Sequence, residues 1–423
     1  MSELEAQESD HTGALTRTWF VRMTAVSSLG NAMVHLVTTY AVYDLTQSVM
    51  ASAMITVFAF IPSLLLGGVA TWLVERFGGA RLFVTGGISL AVVGMIPLVG
   101  SATGHLGVQN LLVWQLLVGI TVGLISPAGG IVVKMLAAPG RIPELNGRLS
   151  RVKAMTFIIG FLVGGAVYTF VGPTLVFVFN VASYAGPVVV VLTAMRTMPV
   201  PAAAGRLRDL RVLRTDEPKL RALFVGAFAS AIAGCFTVGL PAMAASIGSS
   251  PKFLVAFKVA YATGGLFVAV AVRRLHKRVR WGTVQRTCLL VSAAVLLLLA
   301  LSIPGVRGTD MTLLVMCSLI VVIGFAVYLD NAVLFSLVQI AAPVEIRGAV
   351  FTGYRLMPML AIPIGQQFFG FLADTFSLQV ALSCFAIPLV LVVVLGPRLG
   401  QGSPFDTIDP LPARAEPEPR PNA

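Results

Sequence analysis

The chain has 423 residues, of which 57% are hydrophobic and 11% are charged, with a mean hydropathy of +0.90. Soluble domains carry about 25% charged residues, so this composition excludes an ordinary soluble protein and indicates a membrane protein. The net charge of +12 does not indicate a nucleic-acid partner, because the basic residues are spread over many connections and never form one patch with interleaved aromatic residues.

Twelve apolar runs follow one another along the chain. Each is too long and too apolar for a strand, and each approaches the roughly 20 residues that a helix needs to cross a bilayer core. Gly and Pro residues inside the runs fit this interpretation, because transmembrane helices tolerate them. We therefore predict an all-α polytopic membrane protein with twelve transmembrane helices. The runs cover residues 18–43, 50–74, 82–100, 108–136, 147–170, 173–195, 221–246, 252–273, 284–303, 311–341, 348–373 and 377–397.

The longest polar connection, residues 196–220, divides the runs into two sets of six. We therefore expect an N-terminal half at 18–195, a cytoplasmic linker at 196–220 and a C-terminal half at 221–397. The flanking segments 1–17 and 398–423 are rich in charged residues or proline and poor in apolar ones. Such segments cannot bury enough apolar surface to fold, so we expect both to be disordered.

The two halves show signs of a duplication. At an offset of 204 residues, Ala-Ala-Pro at 137–139 returns at 341–343, and Arg151 returns as Arg355. Because several matches share one offset and fall at the ends of runs, they indicate two pseudo-symmetric six-helix halves. This is the usual plan of a secondary transporter with its site between the halves.

The positive charges predict the orientation in the membrane. Of the 30 Lys and Arg residues, 26 lie in the N-terminal segment, the tail and every second connection with its adjoining helix ends. In the opposite connections there are only Lys252 and Arg307. The positive-inside rule therefore places both termini in the cytoplasm of a multi-pass cell-membrane protein, and anionic lipid headgroups account for most of the basic residues. Lys258, inside a run, is expected to extend its amine to the outer membrane surface.

Polar residues inside the apolar runs are costly to bury, so a functional role is the first hypothesis for them. In the first run, Asn31, His35 and Thr39 recur every four residues and therefore share one helix face. We favour a water-lined cavity for Asn31 and His35, whereas helix packing is an equal alternative for the small residues. Similar faces occur in the fourth, seventh and tenth runs. The predicted substrate cavity comprises Asn31, His35, Thr39, Gln115, Ser126, Thr237 and Asn331.

Asp330 and Arg355 are opposite charges at similar depth in adjacent runs. At ~1.5 Å per residue, Asp330 is about 16 Å and Arg355 about 12 Å from the cytoplasmic end, so an ion pair is within reach. Two interpretations stay open, a structural pair that neutralises itself or a carboxylate whose protonation is coupled to transport. In the second, Asp330 carries the proton and Arg355 sets its charge state. His35 is the competing proton carrier, because histidine titrates near neutral pH.

Three short stretches resemble motifs of one transporter family. Residues 43–48, Tyr-Asp-Leu-Thr-Gln-Ser, resemble the family's end of the first helix. Residues 71–81 resemble the motif Gly-x-x-x-Asp-Arg-x-Gly-Arg-Arg of the loop after the second helix, with Thr71 for Gly, Glu75 for Asp and Gly79-Ala80 for the two basic residues. Residues 160–165 resemble the antiporter motif Gly-Pro-x-x-Gly-Gly, with Phe161 in place of the proline. The chain thus resembles the major facilitator superfamily and, within it, the drug:proton antiporter branch with enterobactin exporters and macrolide efflux pumps.

The resemblance covers about residues 18–397 and implies transport by alternating access. Charges in the loop motif can pair with a neighbouring helix end in one conformation and release it in the other, although an ordinary solvated loop is the plainer alternative. The glycines of the antiporter motif allow close packing where the halves meet. The predicted conformational gate comprises Glu75, Arg76, Gly78 and Arg81, and the predicted packing positions are Gly160, Gly164 and Gly165.

The sequence predicts no catalytic site, cofactor or metal site. The four histidines are scattered, no Cys/His pair has metal-ligand spacing, and no phosphate-binding Gly-x-x-x-x-Gly-Lys-[Ser/Thr] motif is present. Taken with this absence, the resemblance implies a monomeric secondary active transporter, not an enzyme, that exports a small, largely apolar compound such as a drug, siderophore or natural product in exchange for protons. The alternatives are a proton-symport importer and a non-transporting membrane binding or assembly protein of the same fold.

Overall fold

The computed structural model describes residues 3–138, 141–197, 218–248, 251–275, 281–303, 310–341 and 347–395. Over these ranges the chain is helical and contains no strand. The α-helices are α1 Glu3–Thr46, α2 Val49–Leu65, α3 Gly67–Phe77, α4 Gly79–Ala102, α5 Val108–Leu136, α6 Ile142–Phe170, α7 Pro173–Ser183, α8 Ala185–Thr197, α9 Pro218–Gly234, α10 Leu240–Ile247, α11 Pro251–Leu266, α12 Val268–Leu275, α13 Trp281–Ser302, α14 Asp310–Ala341, α15 Arg347–Thr375 and α16 Leu378–Leu395. A 3₁₀ segment, Cys235–Gly239, joins α9 to α10.

Every predicted apolar run coincides with one helix or with consecutive helices separated by a short break. Within the described ranges, nine helical segments are long and apolar enough to cross a membrane, and α2 with α3 makes a tenth if this pair, bent by 58°, is one span. The chain is therefore a multi-pass membrane protein. α1 does not meet this criterion, because Asn31, His35 and the other polar residues on the same helix face lower its mean hydropathy.

The N-terminal end of α1 differs from the sequence prediction. Residues 3–17, expected to be disordered, form the first turns of this helix. Their composition is compatible with a helix, because Glu, Ala and Gln are good helix formers. The predicted linker at 196–220 and tail at 398–423 lie almost wholly outside the described residues.

Breaks within the runs occur at Gly and Pro. The bend between α2 and α3 at Leu66 is followed by Gly67 and Gly68, and α10 starts at the 3₁₀ segment and has Pro241 in its first turn. Gly lacks a side chain that would stabilise the helix, and Pro cannot donate the backbone hydrogen bond. These breaks allow short changes of direction inside membrane-length segments.

The chain forms two compact units, which we describe separately. The first contains residues 1–208, 238–259 and 366–375, and the second contains 209–237, 260–365 and 376–423. In the first unit α1 packs along α6 and against α7 and α8, while α5 packs between α2 and α4. In the second unit α13 packs against α14 and α16. Each unit has its own buried apolar core.

Candidate functional site

A cavity of about 230 Å³ lies inside the first unit, between α1, α2, α4, α5 and α7. Its wall is mostly apolar, with a few polar side chains that several of these helices contribute. That composition is typical of small-molecule sites in proteins. The lining residues are Asn31, Val34, His35, Thr38, Ile55, Thr56, Ala59, Phe60, Leu90, Trp114, Gln115, Val118, Val122, Asn180 and Tyr184.

The polar face of α1 supplies part of the polar lining of the cavity. Asn31, His35 and Thr38 follow at helical spacing and all line it. Asn31 and His35 are exposed, although His35 is surrounded by protein atoms, so its exposure is to the cavity. Thr38 is only 1% exposed, and its hydroxyl has no hydrogen-bond partner among the described residues. This oxygen is itself buried, so the accessible polar groups of the α1 face are those of Asn31 and His35.

Asn31 is held in place by two donors. Its side-chain oxygen accepts hydrogen bonds from Asn180 Nδ2 at 3.0 Å and from the Tyr184 hydroxyl at 2.8 Å. Tyr184 lies at the break between α7 and α8, and its side chain lines the cavity. No described residue accepts a hydrogen bond from the Asn31 amide nitrogen. The arrangement therefore presents an oriented donor to the cavity.

Three of the seven predicted cavity residues meet at this cavity: Asn31, His35 and Gln115. Thr39 is buried beside it, and its hydroxyl donates to the His35 carbonyl oxygen at 2.6 Å. Ser126 is exposed elsewhere on α5. Thr237 and Asn331 belong to the second unit, where each side chain donates to a backbone carbonyl of its own helical segment.

Asp330 is one of the most buried charged residues of the second unit, with 1% exposure. Neither carboxylate oxygen has a hydrogen-bond partner among the described residues. Ser230 is near enough to influence the carboxylate, but the two groups do not form a hydrogen bond of good geometry. An ionised carboxylate in such surroundings is unfavourable, whereas a protonated one costs much less.

Arg355 does not join Asp330 in the structure. It is exposed on α15, and among the described residues no ion pair connects the two side chains. Asp330 and Arg355 were predicted at similar depth, but their side chains do not meet. Tyr354, the neighbouring residue on α15, faces Asp330 instead, and its hydroxyl lies 3.4 Å from the Asn331 carbonyl oxygen.

The predicted gate residues lie at the junction of α3 and α4. Glu75, Arg76 and Arg81 are exposed, and none of them forms an ion pair with a described residue. Gly78 ends α3 and begins α4 with φ of +84°, a left-handed value that favours glycine. The glycine of the motif thus has a backbone role in the turn.

The predicted packing glycines lie where helices approach closely. A methyl group at Gly160 would lie 2.5 Å from Ala32 Cβ, and one at Gly164 would lie 2.8 Å from Met33 Cα. Both therefore bring α6 against α1. Gly165 faces Val255 of α11 at a separation that leaves no room for a side chain.

The model of the Major Facilitator Superfamily matches residues 18–366 of the chain. The chain belongs to the major facilitator superfamily. No curated protein sequence matches it significantly. Members of this superfamily move small molecules across membranes, and no catalytic family is indicated.

Solved structures support the same fold for this superfamily member. A bacterial homologue of the iron transporter ferroportin in an inward-facing state is 17% identical, with a TM-score of 0.71 over 93% of this chain and 99% of that one. The peptide transporter POT is 14% identical, with a TM-score of 0.69 over 92% and 95%. A bacterial homologue of the human lysosomal transporter Spinster is 12% identical, with a TM-score of 0.63 over 94% and 97%. At these identities the likeness establishes the fold alone.

Lys258 is buried, contrary to the sequence prediction. The sequence predicts an amine that extends to the membrane surface, but the residue is only 6% exposed. Its Nζ lies 6.0 Å from the centroid of the Phe161 ring, and it is within electrostatic range of His35. The sequence shows the depth of this lysine along α11, but not that neighbouring helices enclose it.

Asp374 has a role that sequence reasoning missed. Its carboxylate accepts hydrogen bonds from Ser48 Oγ at 2.6 Å and from the backbone nitrogens of Val49 and Met50 at 2.8 and 3.0 Å. It therefore caps the N-terminus of α2 from the end of α15, where the free N–H groups and helix dipole favour a negative charge. The two segments are more than 300 residues apart in sequence, so no local pattern indicates their contact.

Proposed function

We propose that this superfamily member is a secondary active transporter that exports a small, largely apolar compound across the cell membrane by alternating access, driven by inward proton flow. The observation that carries the proposal is the cavity of about 230 Å³ with its polar α1 face. A lipid-facing helix gains nothing from Asn31 and His35, whereas a translocation site needs a few oriented polar groups in an apolar wall.

We also propose that the chain spans the membrane twelve times in two six-helix halves, as a monomer with both termini in the cytoplasm. The described helices accommodate this count if α1, the bent pair of α2 and α3, and the short α16 each cross once. The orientation rests on the charge asymmetry of the connections.

Thiol labelling of Thr103→Cys and Ala203→Cys, in a background without the native cysteines, tests this orientation. Labelling of position 203 and not 103 from outside would refute the orientation.

Proton coupling is assigned to Asp330 in this proposal. The carboxylate is buried without a cation at hand among the described residues, so binding a proton removes an uncompensated charge. Access to water in another conformation would let the same group release the proton. Arg355 becomes its partner only if the helices turn relative to each other during transport, and His35 remains the competing proton carrier.

Asp330→Asn cannot carry a proton, so we expect it to lose uphill transport while it retains substrate exchange down a gradient. Transport in proteoliposomes with an imposed pH gradient measures this, with His35→Gln and Arg355→Gln as parallel variants. Uphill transport by Asp330→Asn at the wild-type rate would show that this carboxylate does not couple. Loss in His35→Gln alone would transfer the role to His35.

The gate and the antiporter assignment are part of the same proposal. Glu75, Arg76 and Arg81 are exposed beside the Gly78 turn, so they are free to pair with a helix end in another conformation. Gly160 and Gly164 occupy positions of the antiporter motif and seat α6 against α1. Both features support the drug:proton antiporter branch.

A transport screen against structurally varied compounds tests the function as a whole. Proteoliposomes containing a pH-sensitive dye inside report whether a compound's movement is linked to proton flow. Proton entry linked to compound exit supports export by antiport. Movement of both in the same direction would identify an importer, and absence of flux with every compound would favour a binding or assembly protein.

A further inference from the structure

A second cavity, of about 240 Å³, lies in the first unit where the start of α1 meets the connection from α5 to α6. It shares no lining residue with the cavity at Asn31. The described residues of its wall include three arginines and one acidic residue. Arg17 comes from α1, Arg141 directly precedes α6, and Glu144 and Arg148 lie in the first turns of α6.

Two of these arginines converge on one carboxylate. Glu144 lies 2.7 Å from Arg148 and 3.7 Å from Arg141, measured between side-chain oxygens and guanidinium nitrogens. No other described residue accepts a hydrogen bond from either guanidinium group, and each group has five N–H donors. Most of these donors are therefore available to a ligand that enters the cavity.

The carboxylate does not neutralise the cavity. Three guanidinium charges against one carboxylate leave a net charge of +2 on the described wall. The ion pairs of Glu144 are also exposed to water, and such pairs contribute little. A cleft that is lined by charges of one sign and by apolar groups concentrates anions. Val21 and the buried Leu145 supply the apolar part of this wall.

The type of cation selects the type of anion. A guanidinium group is planar and donates two parallel hydrogen bonds to two oxygens of one anion. A phosphate group offers several such oxygens and therefore binds more than one arginine at once. Three arginines around one small cavity are thus complementary to a phosphate group.

The side of α1 next to the cavity indicates where the phosphate comes from. Leu15 and Trp19 each follow a residue of the cavity wall, and their exposed fractions are 52% and 51%. Arg22 lies over the Trp19 ring, with its guanidinium carbon 5.6 Å from the ring centroid. Tryptophan at the end of a membrane span is typical of the lipid headgroup level. The cavity therefore lies beside apolar surface at the depth of lipid phosphates.

We propose that this cavity binds the phosphate group of an anionic phospholipid through Arg17, Arg141 and Arg148. The acyl chains of the lipid then pass over Leu15 and Trp19. In the proposed orientation the cavity faces the cytoplasmic leaflet, where anionic lipids are concentrated. The bound lipid joins the start of α1 to the start of α6. This site is separate from the proposed transport function and does not require it.

Two lipids that differ in net charge test the inference. Phosphatidylglycerol is anionic, whereas phosphatidylcholine carries the same phosphodiester and a compensating choline cation. The purified full-length protein is titrated with each lipid in mixed micelles of a neutral detergent, and native mass spectrometry counts the bound lipids. We expect one phosphatidylglycerol to bind about tenfold more tightly than phosphatidylcholine.

Variants of the wall locate the binding. Arg17→Gln, Arg141→Gln and Arg148→Gln should each weaken phosphatidylglycerol binding about fivefold. Glu144→Gln should strengthen it, because it removes the carboxylate that competes for two of the arginines. Arg151→Gln is the matched control, since Arg151 is exposed on α6 one turn after Arg148 and lies outside the wall. It should leave binding unchanged. If one arginine variant does not elute as a monodisperse protein, the other two decide.

Four results would overturn the inference. The first is equal binding of the two lipids, and the second is phosphatidylglycerol binding that is unchanged in the three arginine variants. The third is an equal loss in Arg151→Gln, which would show general attraction to the basic surface. The fourth is inorganic phosphate that binds as tightly as phosphatidylglycerol with the same arginine dependence, which would assign the cavity to free phosphate and reject the lipid.

The transport assay keeps this inference distinguishable from the proposed function. Absence of flux with every compound would reject transport and leave the lipid titration unaffected. Loss of lipid selectivity with intact flux would reject the lipid site and leave transport unaffected.

Discussion

The contact between Asp374 and the start of α2 leads to a quantitative prediction. One carboxylate oxygen accepts from Val49 N, and the other accepts from Ser48 Oγ and Met50 N. In Asp374→Asn the amide has one acceptor oxygen, so it cannot keep all three bonds. Hydrogen bonds to a charged group contribute about 1.5–3 kcal/mol each when shielded from water. Since Asp374 is exposed, we expect a smaller total loss of about 1–2 kcal/mol, which is a factor of roughly 5–30 in an equilibrium constant.

Hydrogen–deuterium exchange of the amides at 49–51 measures this loss directly. Opening of the first turn of α2 should become about 5- to 30-fold more frequent in Asp374→Asn, while exchange in α5 stays unchanged. Asp44→Asn is the matched control, because it removes another exposed carboxylate whose side chain accepts no described hydrogen bond. Wild-type exchange at 49–51 in Asp374→Asn would refute the capping role.

Two further variants test local features of the site and the fold. Tyr184→Phe removes one of the two hydrogen-bond donors to Asn31, and one such bond contributes about 1 kcal/mol. The KM of a transported compound should therefore rise about fivefold with little change in kcat. An unchanged KM would show that Asn31 needs no such support. Gly78→Ala places a side chain in a left-handed backbone conformation with open space around it, so strain of about 1–3 kcal/mol should lower the melting temperature. Gly147→Ala, also in open space but inside α6, should not destabilise, and equal behaviour of these two variants would contradict the strain argument.

The positions of the helices could be predicted from the sequence because hydropathy is a local property. Each apolar run ends close to an observed helix boundary, as at residues 108–136, which match α5 at both ends. The polar face of α1 was also predictable, since Asn31 and His35 share a direction set by helical periodicity. These inferences need only the spacing of residues within one helix.

What could not be predicted depends on neighbours from elsewhere in the chain. Depth in the membrane follows from position in a run, but the direction of a side chain relative to another helix does not. Asp330 and Arg355 therefore match in depth without meeting, and Lys258 is enclosed although its position suggested an exposed amine. The cap by Asp374 joins two distant segments, and its geometry exists only after folding.

The glycine contacts between α1 and α6 have a mechanical consequence. At Gly160 and Gly164 the two helices approach so closely that a methyl group would collide with Ala32 or Met33, and such tight packing resists sliding of one helix on the other. We therefore expect α1 and α6 to move as one rigid pair, with Asn31 and His35 on α1. On another side of the cavity, α2 contributes lining residues and continues into α3 through a 58° bend at Leu66. If the cavity widens during the proposed transport cycle, we expect α2 to move at this bend, while Asn31 and His35 keep their positions relative to α6.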